Sequence, residues 1–471
     1  MSDPELIDVR ELAPKEVGEV DLYQKREKIY TRKIEGRFQR LRLFTGWPLL
    51  LGFLLLPWFE WQGRQSVLFD LPAREFNIFG LTFWPQDFHL LAFLLIISAF
   101  ALFAVTNWAG RIWCGYTCPQ TVWTSMFMWA EQYAEGSRNQ RIKLDTAPWS
   151  VGKVRKKGLK HAMWLAISLV TGITFIGYFS PIHQLVPALF TGQASTAEYL
   201  AIGFFTSATY LNAGWLREQV CLFMCPYARF QSVMYDSDTL AVAYDPERGE
   251  PRGSRKRGAA KESHGLGDCI NCELCVQVCP TGIDIRDGLQ YQCIGCALCI
   301  DACDSVMDKM AYPKGLISYT TEHNLQGGQS SVLRPRLLGY VAVLLVMAAL
   351  FSYTILTRVP LGIDVTRDRN QLYVETPDGL VENVYTLKVL NMDQQDNSYS
   401  LRVDSTAPFE WVGQQQVSVA SGDIALIPMR LRVDPYELAA SNMDIQFEVS
   451  NDDRPGQRAS VESRFLSPEV R

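Results

Sequence analysis

The sequence predicts a membrane α-helical protein with five transmembrane helices, an inserted cysteine-rich α+β module and a C-terminal all-β sandwich of immunoglobulin-like size. Three observations predict this class: five long apolar stretches, eight regularly spaced cysteines between the fourth and the fifth, and a cysteine-free tail of short alternating segments. A length of 471 residues leaves room for about three domains. The net charge of -5 and mean hydropathy of -0.01 look soluble, but the averages hide strong segregation along the chain.

The elements follow in order. Residues 1–40 form a polar segment, and 41–216 hold four spans with a cytoplasmic loop at 111–159. The module occupies 217–336, with a linker at 246–267; a fifth span covers 337–357, and 358–471 form the outer domain. The apolar stretches lie near 43–59, 88–108, 161–179, 199–215 and 337–356, each close to the roughly 20 residues that cross a bilayer. Trp and Tyr cluster at their ends, as in an interfacial aromatic belt. Lys and Arg number 9 in residues 1–40, 2 in 60–87, 8 in 111–159, none in 180–198 and 13 in 217–336. Basic segments stay inside, so the N-terminus, the 111–159 loop and the module are expected in the cytoplasm, with 358–471 outside. The first span follows forty polar residues without a small-residue cleavage pattern, and is read as a retained anchor. All twelve cysteines fall on the expected cytoplasmic side, where thiols stay reduced.

The cysteine run is the most specific signal. Cys269, Cys272, Cys275 and Cys279-Pro280 repeat the spacing of Cys293, Cys296, Cys299 and Cys303. This is the C-x-x-C-x-x-C-x-x-x-C run of a bacterial two-cluster ferredoxin, in which the fourth cysteine of each run serves the other cluster. It predicts a bacterial ferredoxin-like 2[4Fe-4S] module, with Cys269, Cys272, Cys275 and Cys303 on one cluster and Cys293, Cys296, Cys299 and Cys279 on the other. Zinc favours isolated cysteine pairs, and a disulfide framework gives no reason for strict triplets. Asp304 stands where the first run has Pro280, a change in the shell of one cluster.

The other four cysteines repeat as C-x-x-x-C-P: Cys114 and Cys118 before Pro119, Cys221 and Cys225 before Pro226, with Arg111 and Arg217 upstream. Cysteines at i and i+4 share a helix face, and proline suits the first turn of a new helix, so each motif is read as a break at a fresh helix N-terminus. Such an end, with an arginine nearby, is expected to favour thiolate. Soft thiolates select Cu(I) or iron–sulfur clusters, with Met126, Met128 and Met224 as candidate thioether ligands. The spacing leaves copper, a further cluster and a reversible disulfide open; packing as small hydrophobes is the plain alternative.

Residues 246–267 have the Gly, Pro and charge content of a mobile linker, and Arg255, Lys256 and Arg257 are read as a solvated run rather than a lipid contact. His89, His161 and His183 show no facing pair for haem, and the basic residues follow membrane topology, not a nucleic acid. Alternation at 384–389, 399–403, 416–420, 424–433 and 444–449 predicts the strands of the outer sandwich.

The combination resembles the CcoG (also FixG or RdxA) family of cytochrome c oxidase accessory proteins. The Trp113-Cys-Gly-Tyr-Thr-Cys-Pro119 and Cys221-Leu-Phe-Met-Cys-Pro-Tyr-Ala-Arg-Phe-Gln231 motifs carry the resemblance together with the double run. It implies a protein of the bacterial inner membrane that reduces Cu(II) to Cu(I) during assembly of the cbb-type oxidase. Cys114, Cys118, Cys221 and Cys225 would then be the catalytic and copper-binding residues. The expected partners are membrane lipid, a cytoplasmic electron donor, and copper-delivery and oxidase assembly proteins; homodimer formation is left open. Two rival readings are a quinol-oxidising membrane polyferredoxin and a non-enzymatic copper-binding assembly scaffold.

Overall fold

The computed structural model describes residues 28–468 apart from 62, 256–264, 369–370, 394, 439 and 455. Of the basic run at the linker, Lys256 and Arg257 therefore lie outside the described residues, as does most of segment 1–40.

The helices are α1 (Arg37–Leu55), α2 (Phe88–Ala109), α3 (Ile112–Tyr116), α4 (Pro119–Glu135), α5 (Arg138–Thr146), α6 (Val151–Ile176), α7 (Ile182–Thr191) and α8 (Thr196–Thr209). They continue with α9 (Pro226–Met234), α10 (Pro246–Gly249), α11 (Leu274–Val278), α12 (Leu298–Met310), α13 (Glu322–Leu325) and α14 (Pro335–Leu356). Among the described residues four helices are long and apolar enough to cross a membrane: Arg37–Trp58, Pro85–Ala109, Val151–Ile176 and Pro335–Leu356. No residue of α14 is buried, so its apolar surface matches lipid rather than water. The span expected at 199–215 is divided: α8 runs directly into a π-helical segment, Tyr210–Leu216. α14 packs on α2, and α6 packs on both α4 and α8.

Segment 111–159 is not a loop. α3, α4, α5 and the first turns of α6 make it helical, because α6 starts ten residues before the apolar stretch with Ser150 accepting from the Lys153 N–H as its cap. The linker also differs from expectation at both described ends. Gly253 N–H donates to Cys269 O at 3.1 Å, Gly267 N–H to Pro251 O at 2.9 Å, and Arg248 Nε to Asp268 at 2.7 Å. Arg255 is spent on Tyr312 Oη and Gly267 O.

Between α1 and α2, β1 (Glu60–Trp61) pairs with β2 (Arg64–Gln65), and β3 (Val67–Asp70), β4 (Glu75–Ile78) and β5 (Leu81–Phe83) form a small antiparallel sheet. In the module, β6 (Ala241–Tyr244) pairs with β7 (Ile317–Thr320). The outer domain holds β8 (Leu361–Arg367), β9 (Val374–Glu375), β10 (Val381–Asn391), β11 (Asn397–Asp404), β12 (Glu410–Val412), β13 (Gln416–Val419), β14 (Ile424–Val433), β15 (Asn442–Asn451) and β16 (Arg458–Leu466). One sheet has the order β12-β14-β10-β8 with β9 on β10; the other is β13-β11-β15-β16. Alternate residues of both sheets, Tyr385, Leu387, Val389, Tyr399, Phe447 and Val449 among them, fill one apolar core. β8 and β16 lie outside the strands expected from the sequence, although β8 alternates Leu361, Ile363 and Val365 with Gly362, Asp364 and Thr366; they pair with β10 and β15.

Arg358, just after α14, pairs with Asp87 at 2.5 Å and donates to Thr82 O at 3.0 Å, while Trp84 packs with Leu390 and Met392. The sandwich is thus seated on the segment that joins α1 to α2.

Candidate redox site

Two small cavities sit inside the module. Cys269, Cys272, Cys275 and Cys303 rim the first, and Cys279, Cys293, Cys296 and Cys299 rim the second, with Cys275 between them. The structure thereby gathers the cysteines in the crosswise sets that the spacing predicts. Among the described residues no three His, Cys, Asp or Glu converge on a point where one ion would sit. The sulfurs surround a volume instead, which suits a cube. The donors fit an iron–sulfur group chemically as well. Burial pushes the Cys275 thiol up to about 11 and Cys293 and Cys303 up to about 12, so four thiolates at each place need an electron-poor centre between them.

The two runs share a backbone device. Asn271 and Glu273 in the first, and Gly295 and Ala297 in the second, have φ between 53 and 64°, each flanking the second cysteine of its run. Left-handed backbone at Asn271, Glu273 and Ala297 is costly, at about 1–3 kcal/mol each, and wraps the loop so that successive cysteines face inward. α11 and α12 start just after, at Leu274 and Leu298.

The module is held on the membrane helices. Asp301, between Cys299 and Cys303 on α12, accepts from the N–H groups of Phe38 at 3.1 Å and Gln39 at 2.8 Å, so it caps the first turn of α1. Arg32 N–H donates to Gln277 O at 2.8 Å. Swinging of the module as a free body is not what these contacts describe.

Each C-x-x-x-C-P motif is a break, as its proline predicts: Cys118 and Cys225 are the extended residues before α4 and α9. The expected helix face is replaced by a wider turn. Cys118 N–H donates to Trp113 O at 2.9 Å and Cys225 N–H to Val220 O at 2.8 Å, both reaching five residues back. The motifs are cross-linked. Arg111 of the first donates to Ala228 O after the second, and Arg217 of the second pairs with Glu131 of α4 at 3.0 Å. Gln120 Nε2 donates to Asn212 O at 2.8 Å, and Cys114 Sγ to Gln231 Oε1 at 3.6 Å. Cys114 feels the charge of Cys118 and Cys221, and Cys221 that of Cys118 and Cys225, which places the four thiols in one neighbourhood.

The expected lowering of the thiol pKa does not occur at two of them. Burial pushes Cys114 up to about 12 and Cys221 up to about 11; Arg111 acts the other way on both and is outweighed. Met128 accepts from Thr31 Oγ1 at 3.4 Å, and Met224 is 59% exposed. Gln231 was within a motif read for its cysteines alone. It is fully buried, and its Nε2 has no hydrogen-bond partner.

A shared carboxylate network underlies the second motif. Glu131, fully buried, pairs with Arg141 at 2.9 Å and Arg217 at 3.0 Å; Glu135 pairs with Lys157 at 2.9 Å and Lys160 at 3.0 Å. Burial alone would raise Glu131, but Arg217, Lys28, Arg141 and Lys160 hold it below the ordinary carboxylate range.

The thiol helix and the module touch. Cys114 packs against the cluster of Val278, Ile294, Cys296, Leu298 and Ala302, of which Ile294 and Cys296 also line the second cavity. Arg42 Nε donates to Gly115 O at 3.0 Å.

Residues 216–322 match the 4Fe-4S dicluster domain family, and 351–468 match the immunoglobulin-like fold at the C-terminus of FixG. The nitrogen fixation protein FixG of Rhizobium meliloti is 41% identical over 420 residues, covering 81% of this chain and 80% of that one. Protein RdxB of Cereibacter sphaeroides is 41% identical over 400 residues, covering 82% and 84%, and protein RdxA of the same organism 37% over 466, covering 94% and 98%. A crystal structure of a FixG-related protein from Vibrio parahaemolyticus shares 38% identity, covering 23% of this chain and 96% of that one with a TM-score of 0.21. With relatives matched over four fifths of their length and more, and with its dicluster domain, this chain belongs to the FixG/RdxA family as a membrane iron–sulfur electron-transfer protein.

Proposed function

We propose that the protein reduces Cu(II) to Cu(I) at Cys114, Cys118, Cys221 and Cys225, in support of assembly of a cbb-type cytochrome c oxidase. The observation that carries this reading is the packing of Cys114 against the apolar cluster that contains Cys296, with its neighbour Gly115 against the Gly295–Cys296 backbone, which puts a soft-ligand thiol site beside a cluster-binding loop. Iron–sulfur groups held by the eight cysteines of the double run supply single electrons. The chain's own residues do the rest. The thiols take up copper and stabilise its reduced form, since thiolate favours Cu(I) over Cu(II). Arg111 and Arg217 tie the two motifs together, and Cys114 and Cys221 are half-buried there.

In this reading residues 1–40, 111–159 and 217–336 face the cytoplasm of a bacterium and 358–471 the periplasm. The balance of basic residues supports that orientation, and α8 with its π-helical continuation supplies the fourth of five crossings. The electron donor is a low-potential one-electron carrier on the cytoplasmic side.

The test is anaerobic purification with metal analysis and EPR, then Cu(II) titration of the dithionite-reduced protein. Reoxidation matched by Cu(I) formation is expected, and Cys114→Ala or Cys225→Ala should retain the iron and lose cupric reduction. Full cupric reduction by either variant would overturn the assignment.

A further inference from the structure

Where the two cysteine sites meet, a side chain is missing on each side. Gly115 lies next to Cys114 on α3, and a Cβ there would stand 2.8 Å from Gly295 O and 2.9 Å from Cys296 Cα. Both are backbone atoms, so neither can swing aside. Opposite it, Gly295 has φ +64°, and a Cβ on it would meet the Arg111 backbone at 3.3 Å. Two glycines therefore let α3 and the Cys293–Cys299 loop meet backbone to backbone. The contact is tied on both sides. Arg42 holds Gly115 O at 3.0 Å, Tyr319 Oη donates to Gly295 O at 2.5 Å, and Tyr116 Oη lies 3.2 Å from Tyr319 Oη. Cys272, which rims the first cavity and not the second, is the exposed one of the twelve cysteines.

We propose that Gly115 is a positioning residue for electron delivery: its lack of a side chain fixes the gap between Cys296 and Cys114, and this contact is the exit from the module to the thiol site. The proposal rests on the copper reading above. In it, one electron crosses the contact and converts one Cu(II) to Cu(I), with no bond formed or broken in the chain; the reductant is a low-potential one-electron donor, replaced by dithionite in the test. Electron tunnelling falls off exponentially with distance, so a side chain that pushes α3 away slows the step without removing any ligand.

Wild type, Gly115→Ala and Tyr319→Phe are purified anaerobically, reduced, freed of dithionite and mixed by stopped flow with either Cu(II) or ferricyanide. Iron content and Cu(I) affinity, by competition with a chromophoric chelator, are measured in parallel. Gly115→Ala should keep its iron, its Cu(I) affinity and its rate with ferricyanide, which can react at the exposed Cys272 side. Its rate with Cu(II) should fall by about tenfold, within the range that small misplacements cost at a reacting centre. Tyr319→Phe, which frees Gly295 O, should slow the Cu(II) reaction by a smaller factor. An unchanged Cu(II) rate in Gly115→Ala, or equal slowing with both oxidants, overturns the proposal. Should Gly115→Ala fail to hold iron, Tyr319→Phe decides, and a wild-type Cu(II) rate there overturns it. A wild type that Cu(II) does not reoxidise refutes the copper reading itself, and the proposal with it.

Discussion

The two C-x-x-x-C-P motifs are copies in sequence and differ in what surrounds them. Both place the second cysteine before a helix-starting proline and close the turn with a bond reaching five residues back. The first begins as the α-helical segment Ile112–Tyr116 and lies against the Cys296 loop. The second is π-helical over Val220–Met224, follows Arg217 at φ +44°, and leans on the buried Glu131 network. A repeat thus makes one cross-linked pair from unlike halves: one half lies against the Cys296 loop, the other is anchored by charge. The arginines cross over, each fastening its own motif to the helix beyond the other.

Breaking the charged half should have the largest effect on stability. Arg141→Met removes a guanidinium that is fully buried against Glu131 and leaves Arg217 as that carboxylate's remaining close partner, a loss of about 3 kcal/mol, at the low end of the cost of breaking a buried pair. Thermal unfolding in detergent measures this; a loss under about 1 kcal/mol would show that the network is not an anchor. The first half offers a weaker handle. Arg111→Met leaves Ala228 O without its donor, a loss of about 1–3 kcal/mol for a buried carbonyl, and should disturb the thiol pocket more than the fold. Cu(I) affinity falling by more than unfolding stability explains would sharpen the contrast, and equal effects from Arg111→Met and Arg141→Met would erase it.

The smallest effect is expected at the rim, where Asp145 joins Lys28 at 2.7 Å, Tyr30 at 2.6 Å and Lys157. Burial alone would raise Asp145, but hydrogen bonds from Lys157, Lys28 and Tyr30 hold it well below the usual carboxylate range. A depressed carboxylate contributes stability that is present above its unfolded pKa of about 4 and is lost as pH falls through the folded value. Asp145→Asn should cost about 0.5–1 kcal/mol at neutral pH and flatten the acid limb of the stability curve. An unaltered slope below about pH 4 would remove Asp145 from the anchor.

Much of this was legible because the chemistry demands local spacing. Cysteines at three-residue intervals predict two cluster sites, and the cavities gather the same crosswise sets. Proline after cysteine predicts the breaks at Pro119 and Pro226. The thiol pKa departs from the sequence expectation because burial is not visible in a motif: the arginine and the helix end are local, but desolvation comes from packing by distant residues. The hydrogen bond from Thr31 to Met128 is equally invisible in a motif, since Thr31 lies on a segment with no periodic signal. The linker 246–267 reads as mobile by composition, yet Arg248 and Gly253 bond into the module.

By itself the sequence determined what depends on near neighbours along the chain: apolar length for crossing a bilayer, cysteine spacing for a cluster loop, alternation for strands, and proline for helix starts. Tertiary structure alone decided which loop meets which helix. The Gly115 and Gly295 contact, the Asp301 cap on α1 and the crossed arginines join residues tens to hundreds of positions apart. Such contacts are chosen by the fit of whole faces, where a missing Cβ or one buried carboxylate matters as much as any motif.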